Sequence, residues 1–196
     1  MADIELTDIT EDTAPSVDDI FYTVNDPAGT PGDRKVTFTN ARKPLLSNGY
    51  LHYREEQAQN TAGGTFTSGA WRTRVLNTEV SDTGALGTLA SNQITLAAGV
   101  YRIFVRAPAY AVGRNQLRLQ NITDASTVLV GESSFAQDSA PITQVHAMLV
   151  GVFTVAAAKV LEIQHWCAVT RATDGFGLEA NLSTEVFTTV ELMRVG

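Results

Sequence analysis

Beyond residue 50 the chain alternates apolar and polar residues with a period of two. Tyr101, Ile103, Val105 and Ala107 alternate with Arg102 and Arg106. Leu117 and Leu119 alternate with Gln116, Arg118 and Gln120. Leu161, Ile163, Cys167 and Val169 share one parity, and Glu162 and Gln164 take the other. Successive side chains of a strand point to opposite faces, so this pattern predicts half-buried antiparallel strands. Breaks recur at Gly63-Gly64, Gly84, Ala98-Gly99, Gly113, Asn121–Ser126, Gly131 and Gly175–Gly177. No long helical periodicity interrupts them. Many short strands with turn signals between them predict an all-β fold, as a sandwich, jelly roll or barrel.

Two strands depart from simple alternation. In Gln144–Val155, one face carries Val145, Leu149, Phe153 and Val155, and the other carries Met148, Val150 and Val152. A strand apolar on both faces needs cover on both. A two-layer sandwich covers only one. Phe104 lies between Arg102 and Arg106 on the expected outer face, and Trp166 points away from the Leu161/Ile163/Cys167 side. Phe104, Met148, Val150, Val152 and Trp166 are therefore the predicted contact with further copies of the chain, because large exposed apolar patches are rare on monomers.

The first 43 residues read differently. Asp3, Glu5, Asp8, Glu11, Asp12, Asp18 and Asp19 make an acidic leader. A strand-like run, Ile20–Val24, is followed by turn formers from Asp26 to Asp33 and a second run, Arg34–Thr39. This predicts a small hairpin, and a lone two-stranded hairpin is marginal in water. It has to dock on the main domain, on a sister chain or on something larger. Ile20, Tyr22, Val24, Lys35, Val36 and Phe38 are the predicted anchor residues. The predicted division is an arm at 1–43 and a β domain at 44–196.

Composition narrows the function. The 196 residues carry 14 Lys and Arg against 21 Asp and Glu, a formal net charge of −7. A nucleic acid is then a poor partner, since its affinity comes from clustered basic residues. Charged residues are 18% of the chain, below the ~25% of an average globular protein, so much of the surface is uncharged. The apolar run Ala147–Ala158 is too short to span a bilayer. The acidic opening MADIELTDIT has neither the basic nor the apolar region of a secretory signal. Cys167 is the single cysteine, so no intrachain disulfide forms and a reducing compartment is expected.

Candidate chemistry is sparse. His165 and Cys167 are two apart and point the same way, as half a metal site, a nucleophile pair, or a core histidine beside a core cysteine. No further ligand spacing accompanies them, which favours the core. Asp26 and Asp33 lack the alternating ligands of a calcium loop. Glu55-Glu56 and Asp18-Asp19 are adjacent, so they cannot face one scissile bond. No nucleophile elbow or phosphate cradle is present. No catalytic, metal or cofactor residue is assigned.

The stretch Gly63-Gly64-Thr65-Phe66-Thr67-Ser68-Gly69-Ala70-Trp71-Arg72-Thr73-Arg74-Val75-Leu76-Asn77-Thr78 resembles the opening of a C1q/TNF-like jelly-roll module found in bacteriophage virion proteins. Leu89–Leu96, Gly99–Arg102, Ala107–Tyr110, Arg118–Asp124, Leu161–Cys167 and Gly175–Gly177 follow in the same order. The segments Leu6–Thr10 and Val24–Thr37 are similar to attachment segments of phage fibre proteins. The resemblance implies an antiparallel jelly-roll sandwich, a homotrimer without catalysis or cofactor, and a place on a virion assembled in a bacterial cytoplasm. It implies docking through the N-terminal hairpin onto a major capsid protein or onto tail or portal components. Capsid decoration, as a cement protein stabilising the head, is the expected role. The alternative is a short tail or head fibre knob binding a host-surface receptor or glycan through polar loops such as Ser133–Ser139 and Thr78–Ser91. Neither role calls for membrane insertion.

Overall fold

The computed structural model describes residues 20–25, 32–37 and 49–196. The chain divides into two compact units, Met1–Ser47 and Asn48–Gly196. In the first, β1 (Ile20–Asn25) pairs antiparallel with β2 (Gly32–Thr37), with Ile20 opposite Thr37 and Asn25 opposite Gly32. The second strand begins earlier in the chain than the sequence pattern predicts. Asp33 lies within β2, opposite Val24, because backbone pairing extends past the last apolar residue.

The second unit is built of β3 (Tyr50–Gln57), β4 (Arg72–Thr73), β5 (Thr78–Asp82), β6 (Gly87–Ala90), β7 (Gln93–Leu96), β8 (Gly99–Tyr110), β9 (Gly113–Asn121), β10 (Ser126–Ala136), β11 (Gln144–Val155), β12 (Lys159–Cys167) and β13 (Glu185–Arg194). No helix occurs among the described residues. One sheet runs β11-β8-β13-β3-β5. The other runs β10-β9-β12-β7-β6, with β4 also pairing β12. Among the described residues, the strands of both sheets pair antiparallel. Strands distant in sequence lie side by side, as in a jelly roll.

The core fills the space between the sheets. Leu51, Tyr53, Tyr101, Ile103, Val105, Leu149, Phe153, Val190 and Leu192 come from the five-stranded sheet, and Ile94, Leu96, Leu117, Leu119, Leu161 and Ile163 from the other. These are the parities that the alternation predicts. A smaller cluster of Phe66, Ala109, Val112, Ala136 and Cys167 closes one end. Val169 departs from its predicted place: it follows the end of β12 and is exposed.

One edge of the sandwich is pinched shut. At Gly131, in the middle of β10, a Cβ would stand 2.5 Å from the Met148 carbonyl oxygen on β11. That glycine is a site of close approach between sheets and not the turn its composition predicts. The predicted polar loops are also partly strand. Thr78–Asp82 and Gly87–Ala90 are β5 and β6, and Ser133–Ala136 ends β10. Between β5 and β6, the Asp82 carboxylate accepts hydrogen bonds from the N–H groups of Gly84, Leu86 and Gly87 at 3.1, 3.1 and 2.9 Å. Those bonds hold its acid strength above that of an ordinary carboxyl, against the opposing effect of burial.

Candidate functional site: two outward sheet faces

The outer face of the five-stranded sheet carries three cross-strand rows. Arg102 on β8 stands between Val152 on β11 and Met193 on β13. Phe104 stands between Val150 and Glu191, and Arg106 between Met148 and Thr189. Directly opposed side chains on one face are close enough to pack, so the rows form a continuous patch. Met148 is half-buried, and the other apolar members are open: Phe104 is 36% exposed, Met193 41%, Val150 48% and Val152 59%. Beside them Tyr50, Arg102, Phe104, Glu191, Leu192 and Met193 line a cleft of about 290 Å³. Burial first, then the nearby Glu191 charge, raises the Tyr50 phenol above its usual range. Among the described residues, neither Arg102 nor Arg106 has a carboxylate within ion-pair distance.

The structure thus brings together four of the five predicted contact residues: Phe104, Met148, Val150 and Val152. Trp166 stands apart from them. It lies on β12 in the other sheet, where its register partner is Gln116 on β9. Strand parity tells inward from outward but not which of two layers a strand joins, and parity is all that links Trp166 to the other four. Of the predicted anchor residues, Ile20, Tyr22 and Val24 lie on β1, and Lys35 and Val36 on β2, where Tyr22 pairs with Lys35 and Phe21 with Val36. Phe38 lies outside the described residues.

His165 and Cys167 belong to the core. The His165 ring is fully buried, 4.8 Å from the Phe66 ring, with Nε2 3.1 Å from Asn115 Oδ1. Burial, reinforced by the Arg74 charge, holds the imidazole neutral far below its ordinary pKa. Burial pushes the Cys167 thiol up to about 11. A neutral imidazole beside a protonated thiol is the reverse of an activated nucleophile pair. Among the described residues, no group of three or more His, Cys, Asp or Glu is placed to hold a metal ion.

One buried cluster is not foreseen by the sequence pattern. Arg74 is buried, and its Nε donates to Thr188 Oγ1 at 2.7 Å. Its Nη1 donates to the Pro108 carbonyl at 3.3 Å, and its Nη2 to the Phe176 carbonyl at 2.9 Å and Glu55 Oε2 at 3.4 Å. The guanidinium also lies 4.3 Å from the centre of the Phe176 ring. Burial brings Arg74 down to about 10 and raises Glu55, whose carboxylate Thr188 also contacts. The signal for it in the sequence is Glu55. It shares the inward parity of Leu51 and Tyr53, and a carboxylate on a core parity calls for a buried cation.

No protein-family model matches the chain, and no curated protein matches it in sequence. Solved structures do match in fold. Eiger TNF from S. frugiperda aligns with a TM-score of 0.52 at 14% identity, covering 76% of this chain and 94% of that one. Murine APRIL aligns with a TM-score of 0.50 at 8% identity, covering 76% of this chain and 100% of that one. The sandwich has the jelly-roll fold that these two structures share. At these identities the likeness establishes architecture, and function has to be argued from this chain's own faces.

Proposed function

We propose that this chain is a non-enzymatic structural protein of a bacteriophage virion, a homotrimer that docks on the particle through residues 1–43 and decorates the head. The observation that carries the trimer is the uncovered row Val150–Phe104–Glu191, flanked by Arg102 and Arg106. An open apolar patch with arginines interleaved among its residues suits a protein interface, in which Arg is enriched. Packing against sister chains covers Phe104, Val150 and Val152 and offers Arg102 and Arg106 the Glu191 carboxylate of a neighbour. The virion assignment rests on the ordered jelly-roll motifs from Gly63 to Gly177 and on the Val24–Thr37 hairpin segment.

Three tethered hairpins gain affinity by effective concentration where one would bind weakly. A protein that binds only the assembled shell stabilises that shell by mass action. The test removes residues 1–43. The remainder should sediment as a folded trimer and fail to join particles, and imaging of the intact virion should place the full chain on capsomers. A truncated trimer that decorates particles normally rules out the anchor. Density at the tail replaces the decoration role with that of a short fibre knob.

A further inference from the structure

The outward face of the β10-β9-β12 sheet differs from the association face. It is polar, amide-rich and carries the two tryptophans of the chain. Along β9, Gln116, Arg118 and Gln120 point outward beside Trp166, Gln164 and Glu162 of β12. Most of this face is already hydrogen-bonded to itself. Arg118 Nε and Nη2 both donate to Gln164 Oε1 at 2.9 and 2.7 Å, and the Arg118 guanidinium lies 4.4 Å from the centre of the Trp71 ring. Glu162 accepts from Thr73, Gln93 and Gln164. Trp71, Arg118 and Glu162 are therefore occupied.

The other end of the face is not. Trp166, Gln116 and Ser133 form one cross-strand row, and Arg114 and Phe135 pair in the next. The register slips by one residue between Val130 and Ser133, which opens the sheet surface there. Arg114, Asn115, Gln116, Ser133, Ser134 and Trp166 line a cleft of about 160 Å³. Its floor is rigid: Asn115 is buried and spends its amide on the Gly113 carbonyl and on His165. Gln116 is fixed by a 3.0 Å bond from Nε2 to the Gly131 carbonyl. Among the described residues, Trp166 has no aromatic or guanidinium stacked on it, and Arg114 has no carboxylate partner.

We infer that this cleft is a glycan-binding site, taking one acidic pyranose whose ring lies on Trp166 and whose carboxylate meets Arg114. A sugar ring has an apolar C–H face and a hydroxyl rim. An indole that is apolar on its face and bordered in its row by the Gln116 amide and the Ser133 hydroxyl matches both. The unpaired guanidinium supplies planar, paired donors for one carboxylate, and no acidic side chain lines the cleft to oppose it. A protein partner would need roughly 1,000 Å² or more of buried surface, which a cleft of this size does not offer. A phosphate polymer meets a single free arginine on a chain of net charge −7. The site lies on the sheet opposite the association face and does not depend on the trimer or on the virion.

The test titrates the full-length protein with cellobiuronate and with cellobiose, which differ by a carboxylate in place of a hydroxymethyl group, while following tryptophan emission. Cellobiuronate should saturate at a concentration roughly tenfold lower than cellobiose, the scale of one charge-assisted hydrogen bond. Arg114→Gln should erase that preference, so that cellobiuronate and cellobiose saturate the variant at the same concentration. Ser133→Tyr, at an exposed position that fills the cleft, should abolish both responses with the circular dichroism spectrum unchanged. No saturation with either sugar, equal affinity for the two, or binding that survives Ser133→Tyr each overturns the site. Sedimentation of the same samples reads the trimer separately, so a failed glycan site and a failed trimer give different results.

Discussion

Phe104 and Val150 stand directly opposite each other across β8 and β11, on the side of the sheet that faces away from the core, and both are open to solvent. Two apolar side chains in cross-strand contact cover part of each other but leave their outer surfaces wet. Replacing both with glutamate puts like charges in that contact, which is unfavourable even in water. It leaves the inner parity, Ile103, Val105 and Leu149, untouched. The Phe104→Glu/Val150→Glu protein should sediment as a monomer with the β spectrum of the parent, whose expected state is a trimer. A double variant that keeps the parent's mass would show that association uses another surface.

The Arg74 cluster should behave as a buried ion pair. Arg74→Met leaves Glu55 buried at 1% exposure with no cation, at a cost of about 3–5 kcal/mol in urea unfolding. Adding Glu55→Gln removes the stranded charge and should recover most of that loss. A double-mutant cycle in which the two losses simply add would mean that the pair is not coupled.

The β framework is legible in the sequence where a strand is one-sided. From Tyr101 to Ala107 β8 alternates buried and exposed residues, so the pattern alone assigns its faces there, whereas β11 is apolar on both faces and the structure is what shows Ala147, Leu149, Phe153 and Val155 buried. What parity does not supply is the layer. Trp166 and Phe104 both point outward, yet on opposite sheets, and only the pairing of β12 with β9 and of β8 with β11 separates them. Arg74 is hidden for a related reason. Its partners are 19, 34, 102 and 114 residues away, and Thr73-Arg74-Val75 has no local pattern that would mark an inward cation. Gly131 passes for a turn in the sequence because composition cannot distinguish a glycine that bends a chain from one that admits a neighbour.

His165 makes stability depend on pH in a known direction. Its folded pKa lies well below 6.5, so the unfolded chain binds a proton near neutrality that the folded chain does not. Stability therefore rises with pH where the unfolded histidine titrates, and falls as the pH drops below about 6.5. One proton sets the ceiling, about 1.4 kcal/mol per pH unit. His165→Gln should flatten the dependence of the urea midpoint between roughly pH 6.5 and 5, even if the midpoint itself is lower. An unchanged slope in that variant would assign the dependence to other groups.

The pinch between β10 and β11 gives a last test, by comparing two glycines that differ in what constrains them. At Gly69 the backbone φ is +86° and no atom lies within 4 Å of a Cβ, so alanine meets only backbone strain there, about 1 kcal/mol. At Gly131 an added Cβ would meet the Met148 carbonyl oxygen at 2.5 Å, Leu149 Cβ at 3.1 Å and Leu117 Cβ at 3.2 Å. The first of these is backbone, so relief requires the two sheets to separate at that corner. Overpacking of this kind costs about 1–3 kcal/mol. Separation would also loosen β11, the edge strand that carries Met148, Val150 and Val152. Gly131→Ala should therefore lower the melting temperature more than Gly69→Ala and weaken self-association as well, although residue 131 lies on the other sheet. Equal melting temperatures for the two variants would mean that β10 and β11 are not held at the separation seen here.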